Sequence, residues 1–236
     1  MKKTKDTGKV AAIIPSAGSG KRMGLRTNKN YLTIADRPVL ARTIAAFDGC
    51  ASISSIIVVV PRGDETYCKD RILKPHRFKK PIRVVPGGPE RQDSVANGLG
   101  SVDKDSSIIV IHDGARPLVT AELIEAVISG AFSAGAAICA VPVKDTIKLA
   151  RGSFVEMTVA RERLWSVQTP QAFKAELLRE AFKMAKDTGM RATDESGLVE
   201  ALGKTVKIVP GSYENIKITT PEDLRIAGCL LKSSTR

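Results

Sequence analysis

The residues that could do chemistry begin in a glycine-rich segment, Pro15–Gly24, directly after a short apolar run. Glycines let the backbone approach a phosphate closely, and consecutive amides can point at it. Arg22 and Lys29 lie seven positions apart in this region. A guanidinium and an ammonium placed around a triphosphate would neutralise charge while phosphorus is attacked. The segment therefore indicates a phosphate-binding loop, with a tight turn carrying solvated basic residues as the alternative.

Two common phosphate-binding motifs do not fit this segment. A P-loop requires GxxxxGK[ST], but Pro15 stands in place of its first glycine and Arg22 in place of its serine or threonine. A dinucleotide-binding loop requires GxGxxG and then an apolar helix. Here the spacing is GxGxxxG, and the polar stretch Leu25–Asn30 follows. What remains is a glycine-rich loop that is defined by its two cations.

A second polar group follows another apolar run. The motif HDGARP places Asp113 and Arg116 just after Ser107–Ile111. A carboxylate there can accept hydrogen bonds from sugar hydroxyls, and an arginine can bind phosphate. A structural ion pair at a turn is the alternative, and His112 is interpreted as structural.

The acidic pair Asp194 and Glu195 has the residue types of a metal site. Carboxylates just before apolar positions such as Leu198 and Val199 more often cap a helix, so helix capping is the favoured interpretation. With only two histidines in the whole chain, a histidine-rich metal centre is excluded.

The elements that must position these residues are short apolar, β-branched runs without strict alternation, as in strands covered on both faces. They are Val10–Ile14, Ser55–Val60, Ile82–Val85, Ser107–Ile111, Ala136–Val143 and Thr205–Val209. Helical spacing lies between them, with Thr120 as an N-cap, Gly189 as a terminator and Pro221 at a first helical position. The alternation predicts a mostly parallel, doubly wound α/β sheet, which binds ligands beyond the carboxyl ends of its strands.

Residues 141–170 break this alternation into short strand-like pieces around Gly152. The pieces are Thr146–Leu149, Val155–Val159 and Trp165–Gln168. They predict a β-hairpin arm that projects from the main sheet. A hairpin that carries an arginine such as Arg161 is by itself typical of an interaction element.

Composition limits the classes of partner. The formal net charge of +12 over 236 residues suggests nucleic acid, but the excess is spread along the chain, and aromatics at 4% are too few for a stacking platform. A small anionic substrate is the favoured partner. No apolar segment approaches the roughly 20 residues of a membrane helix, nor the apolar region of a signal peptide. The four cysteines show no CxxC spacing, which favours free thiols and a cytoplasmic location.

Several motifs in order make the chain resemble a known family. They are AGSGKRM, NKNYL, GGPERQDSV, HDGARP, PVKDTIK, LWSVQTPQ, TDESGLVE and NIKITTPEDL. Over residues 9–231 the chain resembles sugar nucleotidyltransferases with a Rossmann-like, glycosyltransferase-A-type fold, and within them the 2-C-methyl-D-erythritol 4-phosphate cytidylyltransferase family. The resemblance implies one domain over residues 9–231 with an arm at about 141–170. It also implies cytidylyl transfer from CTP to methylerythritol phosphate, with Mg²⁺ held mainly through the CTP phosphates.

The resemblance further implies a role for each matching residue. The catalytic residues that it implies are Arg22, Lys29, Arg161 and Lys217. Nucleotide binding falls to Ser16, Ala17, Gly18, Gly20, Gly88, Ser94 and Gly114. Binding of the polyol phosphate falls to Asp113, Arg116, Thr146, Arg161, Thr169 and Lys217. A homodimer is implied, in which the arm swaps over the partner so that Arg161 and Thr169 reach the partner's substrate. Without the resemblance, Lys217 is interpreted as an exposed lysine on the last strand of the chain, at the edge of the sheet.

The chain departs from the family's pattern at four positions. Pro89 stands where many members have aspartate, and a proline has no backbone N–H to donate. Asn28 and Asn30 replace a frequent proline and glutamine around Lys29, and Ser16 replaces a frequent alanine. Two other functions stay open from the sequence: a cytidylyltransferase for another polyol phosphate such as ribitol 5-phosphate, and a non-catalytic nucleotide- or RNA-binding protein.

Overall fold

The computed structural model describes residues 8–18 and 28–233. Its strands are β1 (Lys9–Pro15), β2 (Thr33–Ile34), β3 (Arg37–Pro38), β4 (Ile53–Val60), β5 (Ile82–Pro86), β6 (Ser106–Ile111), β7 (Ala136–Pro142), β8 (Ile147–Arg151), β9 (Phe154–Val159), β10 (Trp165–Lys174) and β11 (Lys207–Pro210). Its helices are α1 (Val39–Gly49), α2 (Glu65–Tyr67), α3 (Arg91–Gly100), α4 (Ala121–Ala134), α5 (Ala175–Thr188), α6 (Glu195–Ala201) and α7 (Pro221–Ser233). Short helical turns lie at Lys29–Tyr31, Cys68–Leu73 and Lys74–His76.

Within the described ranges, seven strands form the main sheet in the order β11-β7-β10-β6-β1-β4-β5. β1 pairs in parallel with β4 and β6, β4 pairs in parallel with β5, and β7 with β11. The predicted, mostly parallel α/β sheet is confirmed. The reversals of strand order around β1 create the crevice at which such sheets bind ligands.

The central strands are buried on both faces, which explains why their sequences are continuous apolar runs. Along β1, Ala12 and Ile14 pack into the core on one side of the sheet, and Ala11 and Ile13 pack into the core on the other. Adjacent strand residues point to opposite faces, so a strand with two covered faces needs apolar residues at every position.

The predicted helix ends are confirmed at three places. The Thr120 side chain accepts a hydrogen bond from the Leu123 amide and begins α4. Gly189 ends α5 in the left-handed conformation, with φ of 70°. Asp194 accepts from the Gly197 amide and begins α6, as the capping interpretation expected.

The strand β10 corrects one boundary of the predicted arm. The sequence assigned Trp165–Gln168 to the arm, but these residues begin a ten-residue strand of the main sheet. This strand runs antiparallel between β6 and β7, with Phe173 opposite Ile109 and Ala136. A short local pattern does not reveal which strand will be the pairing partner, since that depends on contacts distant in sequence.

The hairpin itself is confirmed as a separate two-stranded sheet. β8 and β9 pair antiparallel with Ile147 opposite Val159, and the turn contains Gly152 at φ of 58°. Its apolar side chains are unusually open to solvent: Phe154 is 80% exposed and Val155 is 61% exposed. The arm therefore carries apolar surface that its own chain does not cover.

Two smaller expectations have different outcomes. All four cysteines, which lie in the described ranges, are free thiols, and Cys139 is buried as predicted. The segment Asn215–Ile218 was expected to be a strand, but it is an irregular loop. Its backbone makes a single hydrogen bond to the neighbouring loop, from the Ile218 amide to the Ala115 carbonyl, and one bond is too few for a strand ladder.

No helix among the described residues is both long and apolar enough to cross a bilayer.

Candidate active site

More than half of the predicted site residues meet in one pocket at the carboxyl ends of β1, β5 and β6. Eight of them line it in the described ranges: Ser16, Ala17, Gly18, Lys29, Gly88, Ser94, Asp113 and Lys217. They come from five separate stretches of the chain, and three of these directly follow the parallel strands β1, β5 and β6 at the same edge of the sheet. Gly20 and Arg22 lie outside the described residues.

Asp113 is the electrostatic centre of this pocket. It is 7% exposed, and its Oδ2 lies 2.7 Å from Lys217 Nζ. Its Oδ1 accepts from Arg91 Nε at 3.2 Å, and Arg116 Nε lies 3.9 Å from Oδ2. Burial alone would raise the pKa of Asp113, but the charges of Arg91 and Lys217 outweigh it and hold that pKa well below its usual range. Asp113 is therefore a fixed anion.

Arg91 and Glu195 belong to this site, although the sequence analysis did not single out Arg91 and assigned Glu195 to helix capping. Two guanidinium nitrogens of Arg91 donate to the two carboxylate oxygens of Glu195, at 2.7 and 3.0 Å. Glu195 is 1% exposed, and burial raises its pKa although Arg91 opposes the shift. The motifs GGPERQDSV and TDESGLVE contain these residues, but only a pairing across 104 positions reveals their function.

A hydrogen-bonded chain fixes the loop that carries Asp113. The Thr169 hydroxyl accepts from the Asp113 amide at 3.0 Å and bonds to His112 Nδ1 at 3.1 Å. His112 Nε2 bonds to the Arg116 carbonyl at 3.1 Å. These contacts fit a neutral imidazole that accepts at Nδ1 and donates at Nε2. Burial lowers the pKa of His112 to about 4, so the ring stays neutral and structural, as predicted.

The two asparagines that flank Lys29 tie it to the end of β1. Asn28 Nδ2 donates to the Ser16 carbonyl at 2.6 Å, and Asn30 Nδ2 donates to the same oxygen at 3.3 Å. The Asn28 side chain also accepts from the Asn30 amide. Lys29 Nζ in turn donates to the Ile218 carbonyl at 2.7 Å, next to Lys217. The departures at 28 and 30 therefore build a clamp, which we call the asparagine clamp.

Glycines make room where the loops approach one another. A Cβ on Gly114 would overlap the Ser16 hydroxyl, and a Cβ on Gly88 would overlap the Asp93 side chain. The Ser94 hydroxyl accepts from the Gly88 amide at 3.1 Å and donates to the Glu90 carbonyl. Ser94 thus holds the glycine loop against the start of α3.

Four predicted substrate residues are placed elsewhere. Arg116 lies under the pocket and donates to the Asn215 carbonyl at 2.6 Å. Thr146 and Arg161 are exposed in the arm region, and Arg161 donates to the Lys144 carbonyl. Thr169 was expected to reach a partner's substrate with the arm, but it lies in β10 and is 4% exposed against its own chain. Its fixed place in the main sheet corrects that expectation.

The described residues contain no cluster of three or more histidine, cysteine or carboxylate side chains that could hold a metal ion. The carboxylates in the pocket are Asp113 and Glu90. Asp113 has both oxygens paired with cations. A divalent ion in this pocket would need most of its ligands from a bound molecule, as Mg²⁺ does when it binds through phosphates and water.

Comparison with known proteins agrees with this geometry. The family described as 2-C-methyl-D-erythritol 4-phosphate cytidylyltransferase (IspD) matches residues 10–233. A relative of that name from Desulforamulus reducens is 52% identical over 226 residues, which are 95% of this chain and 97% of the relative. A relative from Pelotomaculum thermopropionicum is 49% identical over 226 residues, or 95% of each chain.

Solved structures are similar over the same length. The 4-diphosphocytidyl-2C-methyl-D-erythritol synthase of Anaerococcus prevotii superposes with a TM-score of 0.85 at 34% identity, covering 96% of this chain and 97% of its own. The 2-C-methyl-D-erythritol 4-phosphate cytidylyltransferase of Thermus thermophilus superposes with a TM-score of 0.79 at 34% identity, covering 95% of this chain and 99% of its own.

Proposed function

Because the chain belongs to the 2-C-methyl-D-erythritol 4-phosphate cytidylyltransferase family, we propose that its pocket divides into a nucleotide part and a polyol phosphate part, completed by a partner's arm. The enzyme transfers the cytidylyl group of CTP to 2-C-methyl-D-erythritol 4-phosphate in isoprenoid precursor synthesis. The products are 4-(cytidine 5′-diphospho)-2-C-methyl-D-erythritol and pyrophosphate. The resemblance read from the motifs is confirmed. Residues 9–231 act as one catalytic domain in this proposal.

The nucleotide part is the edge of the pocket formed by Ser16, Ala17, Gly18, Gly88 and Ser94. Close backbone approach at the glycines suits a flat base and a phosphate chain. Gly114 contributes indirectly, since its lack of a side chain leaves room for Ser16. Gly20 is assigned to the same nucleotide part because of its place in the glycine-rich motif. The cation of Arg22 is assigned to it for the same reason.

The single observation that carries the polyol phosphate part is the Asp113–Lys217 pair, 2.7 Å apart beside the nucleotide loop. The carboxylate can accept hydrogen bonds from polyol hydroxyls, and the ammonium can bind the phosphate that attacks. Lys29 bonds to Ile218, the residue after Lys217, so both cations lie in one corner of the pocket. Arg116 supports this corner from below.

The reaction needs charge neutralisation more than proton transfer. The second pKa of a phosphate monoester is near 6, so roughly nine-tenths of the substrate is dianionic at pH 7 and attacks without a general base. Asp113 is held ionised by its cations, and the neutral ring of His112 is buried behind the loop. Lys29 and Arg22 therefore stabilise the charge that develops on the triphosphate, while Lys217 aligns the nucleophile.

Family members are metal-dependent nucleotidyltransferases, and we propose that the ion here is Mg²⁺. The pocket's carboxylates are too few and too fully paired to form a cage, so the ion is held mainly by CTP phosphates. When bound, it lowers the negative charge that the incoming phosphate meets.

The arm is proposed to act in a homodimer. Its exposed apolar residues, such as Phe154 and Val155, need a covering surface. Thr146 and Arg161 lie in the arm region and outside their own chain's pocket, so an exchanged arm brings them to the partner's pocket. Free thiols support a cytoplasmic location.

The first experiment measures pyrophosphate release with Mg²⁺ and CTP, offering either methylerythritol phosphate or ribitol 5-phosphate. Release with methylerythritol phosphate alone is expected. Asp113→Asn and Lys217→Met are expected to raise KM for the polyol phosphate and leave KM for CTP within about twofold, because the two parts of the pocket are distinct. Normal kinetics in both variants would contradict the proposed roles.

A further inference from the structure

We propose that Arg91, anchored by Glu195, is the permanent counter-ion of Asp113, whereas Lys217 is an exchangeable counter-ion that transfers to the substrate's phosphate. The proposal rests on the roles given above to Asp113 and Lys217. It adds two positioning residues, Arg91 and Glu195, which act on the substrate through Asp113.

The two cations are held in different ways. Arg91 is bonded on one edge to both oxygens of Glu195 and through Nε to Asp113. This planar fork between two carboxylates fixes the direction of every bond. Lys217 meets Asp113 through one ammonium on a flexible stem, which can rotate to a new partner without breaking a network.

The anchor is itself rigid. Arg91 is the first residue of α3, and Glu195 is the first residue of α6. Glu195 is 1% exposed, so its carboxylate cannot move to solvent and exchange partners. Breaking this pair would leave the buried carboxylate of Glu195 without its counter-ion, which keeps Arg91 and Glu195 together through the catalytic cycle.

Charge balance allows Lys217 to leave Asp113. In the free enzyme, Arg91, Arg116 and Lys217 surround the two carboxylates Asp113 and Glu195, so the group carries one excess positive charge. If Lys217 turns to an incoming phosphate, Asp113 keeps Arg91 at 3.2 Å and Arg116 at 3.9 Å. Asp113 then stays ionised and in position, with Oδ2 open to a polyol hydroxyl.

The test compares Arg91→Lys and Glu195→Gln with the wild type in steady-state kinetics with both substrates. A lysine cannot form the fork, and a carboxamide turns a donor toward the guanidinium. Each variant is expected to raise KM for methylerythritol phosphate by about tenfold, the loss expected for one charge-assisted hydrogen bond. KM for CTP is expected to stay within about twofold.

A second readout separates the two counter-ions. Inorganic phosphate is used as a competitive inhibitor against methylerythritol phosphate. Its inhibition constant reports on the cation that binds the substrate's phosphate. Lys217→Met is expected to raise its inhibition constant by about tenfold, while Arg91→Lys and Glu195→Gln leave it within about twofold. The control is Arg191→Lys, which changes an exposed arginine paired with Asp93 on the outer side of α3 and should leave all constants unchanged.

The outcomes distinguish this inference from the function it rests on. Normal KM values in Arg91→Lys and Glu195→Gln, with an impaired Asp113→Asn, would overturn the positioning role alone. An equal rise in both KM values would overturn it too, because Arg91 would then serve the nucleotide. Phosphate inhibition that weakens as much in Arg91→Lys as in Lys217→Met would overturn the exchange. Normal kinetics in Asp113→Asn would instead remove the proposed function of the corner. If Arg91→Lys fails to fold, the isosteric Glu195→Gln variant decides.

Discussion

The pocket and the arm differ in how their polar residues are held. In the pocket, Asp113 is 7% exposed and bonded to Arg91, Thr169 and Lys217, which come from three other parts of the same chain. In the arm region, Thr146 and Arg161 are exposed, and nearby Phe154 is 80% exposed. Folding of one chain is therefore enough to preorganise the pocket, whereas the arm keeps its side chains for a surface that its own chain does not provide.

This difference predicts which subunit's reaction a substitution will affect. Changes in the pocket should act on the subunit that carries them, because every contact is internal. Changes in the arm should act on the other subunit's reaction if the arm is exchanged. The four predictions that follow test this contrast, and they run from the largest expected effect to the smallest.

Lys29→Ala is expected to lower kcat by about 10²-fold or more, because the proposed function makes Lys29 a preorganised cation next to the reacting phosphates. Arg22→Ala is expected to act similarly. The measurement is pyrophosphate release in a single turnover at saturating CTP. Lys9→Ala, which removes an exposed lysine paired with Asp105, is the control and should turn over normally. A normal single-turnover rate in Lys29→Ala would remove this residue from the catalytic group.

His112 is expected to make the fold sensitive to acid. Its pKa in the folded protein is lowered to about 4 from 6.5, so between these values the unfolded chain binds a proton that the folded chain does not. Stability therefore rises with pH across this window. By pH 5 the folded protein should have lost about 2 kcal/mol through this group.

The check is urea unfolding of the wild type and His112→Gln at pH 7 and pH 5. The raised pKa of Glu195 acts in the opposite direction, so the difference between the two proteins isolates His112. The variant is expected to be less stable at pH 7, because a glutamine amide does not reproduce the geometry of both ring bonds, to the Thr169 hydroxyl and the Arg116 carbonyl, and to lose less stability on acidification. An unchanged pH dependence would show that the ring is protonated or exposed in the folded state.

Arg161→Ala is expected to reduce kcat/KM for methylerythritol phosphate by about tenfold, as for the loss of one charge-assisted contact. Mixed with Lys29→Ala under conditions of subunit exchange, it should recover activity. Random pairing gives half heterodimers, each with one intact site of two, so about a quarter of wild-type activity is expected. No recovery above the sum of the two parents would mean that pocket and arm residues serve the same subunit.

Asn28→Ala is expected to have the smallest effect. It removes the 2.6 Å bond to the Ser16 carbonyl and half of the asparagine clamp, at a cost of about 1 kcal/mol in unfolding free energy. Because the clamp positions Lys29, KM for CTP should rise a few-fold at most. Asn97→Ala, which removes an exposed amide bonded to the Pro86 carbonyl, is the matched control. Equal unfolding curves for Asn28→Ala and the wild type would contradict the clamp.

The sequence predicted most of the fold from local patterns. Continuous apolar runs indicated strands covered on both faces, and Thr120, Gly189 and Asp194 marked helix ends because caps depend on residues within one turn. The local sequence pattern gave the wrong assignment in two places: the start of β10 was placed in the arm, and the loop Asn215–Ile218 was expected to be a strand. In both cases the structure depends on which distant strand or loop offers a partner, and a local window contains no information on that.

The candidate site shows the same division. Most of the residues lining the pocket could be named from motifs, because each motif keeps the chemistry in a short segment. The pairing of Arg91 with Glu195 was not found, because Arg91 has no special spacing and Glu195 was interpreted as part of a helix cap. The family resemblance was taken to assign Thr169 to the exchanged arm, whereas its bonds to His112 and Asp113 fix it beneath the pocket.

By itself, the sequence determined the strand and helix types and the identity of the charged groups at strand ends, because these depend on side-chain period and residue type. Only the tertiary structure decided which charges are partners. The order of strands in the sheet brings Arg91, Asp113 and Glu195 to within hydrogen-bonding distance. Burial of Asp113 and Glu195 then makes these pairs persistent, because leaving either carboxylate unpaired would be costly.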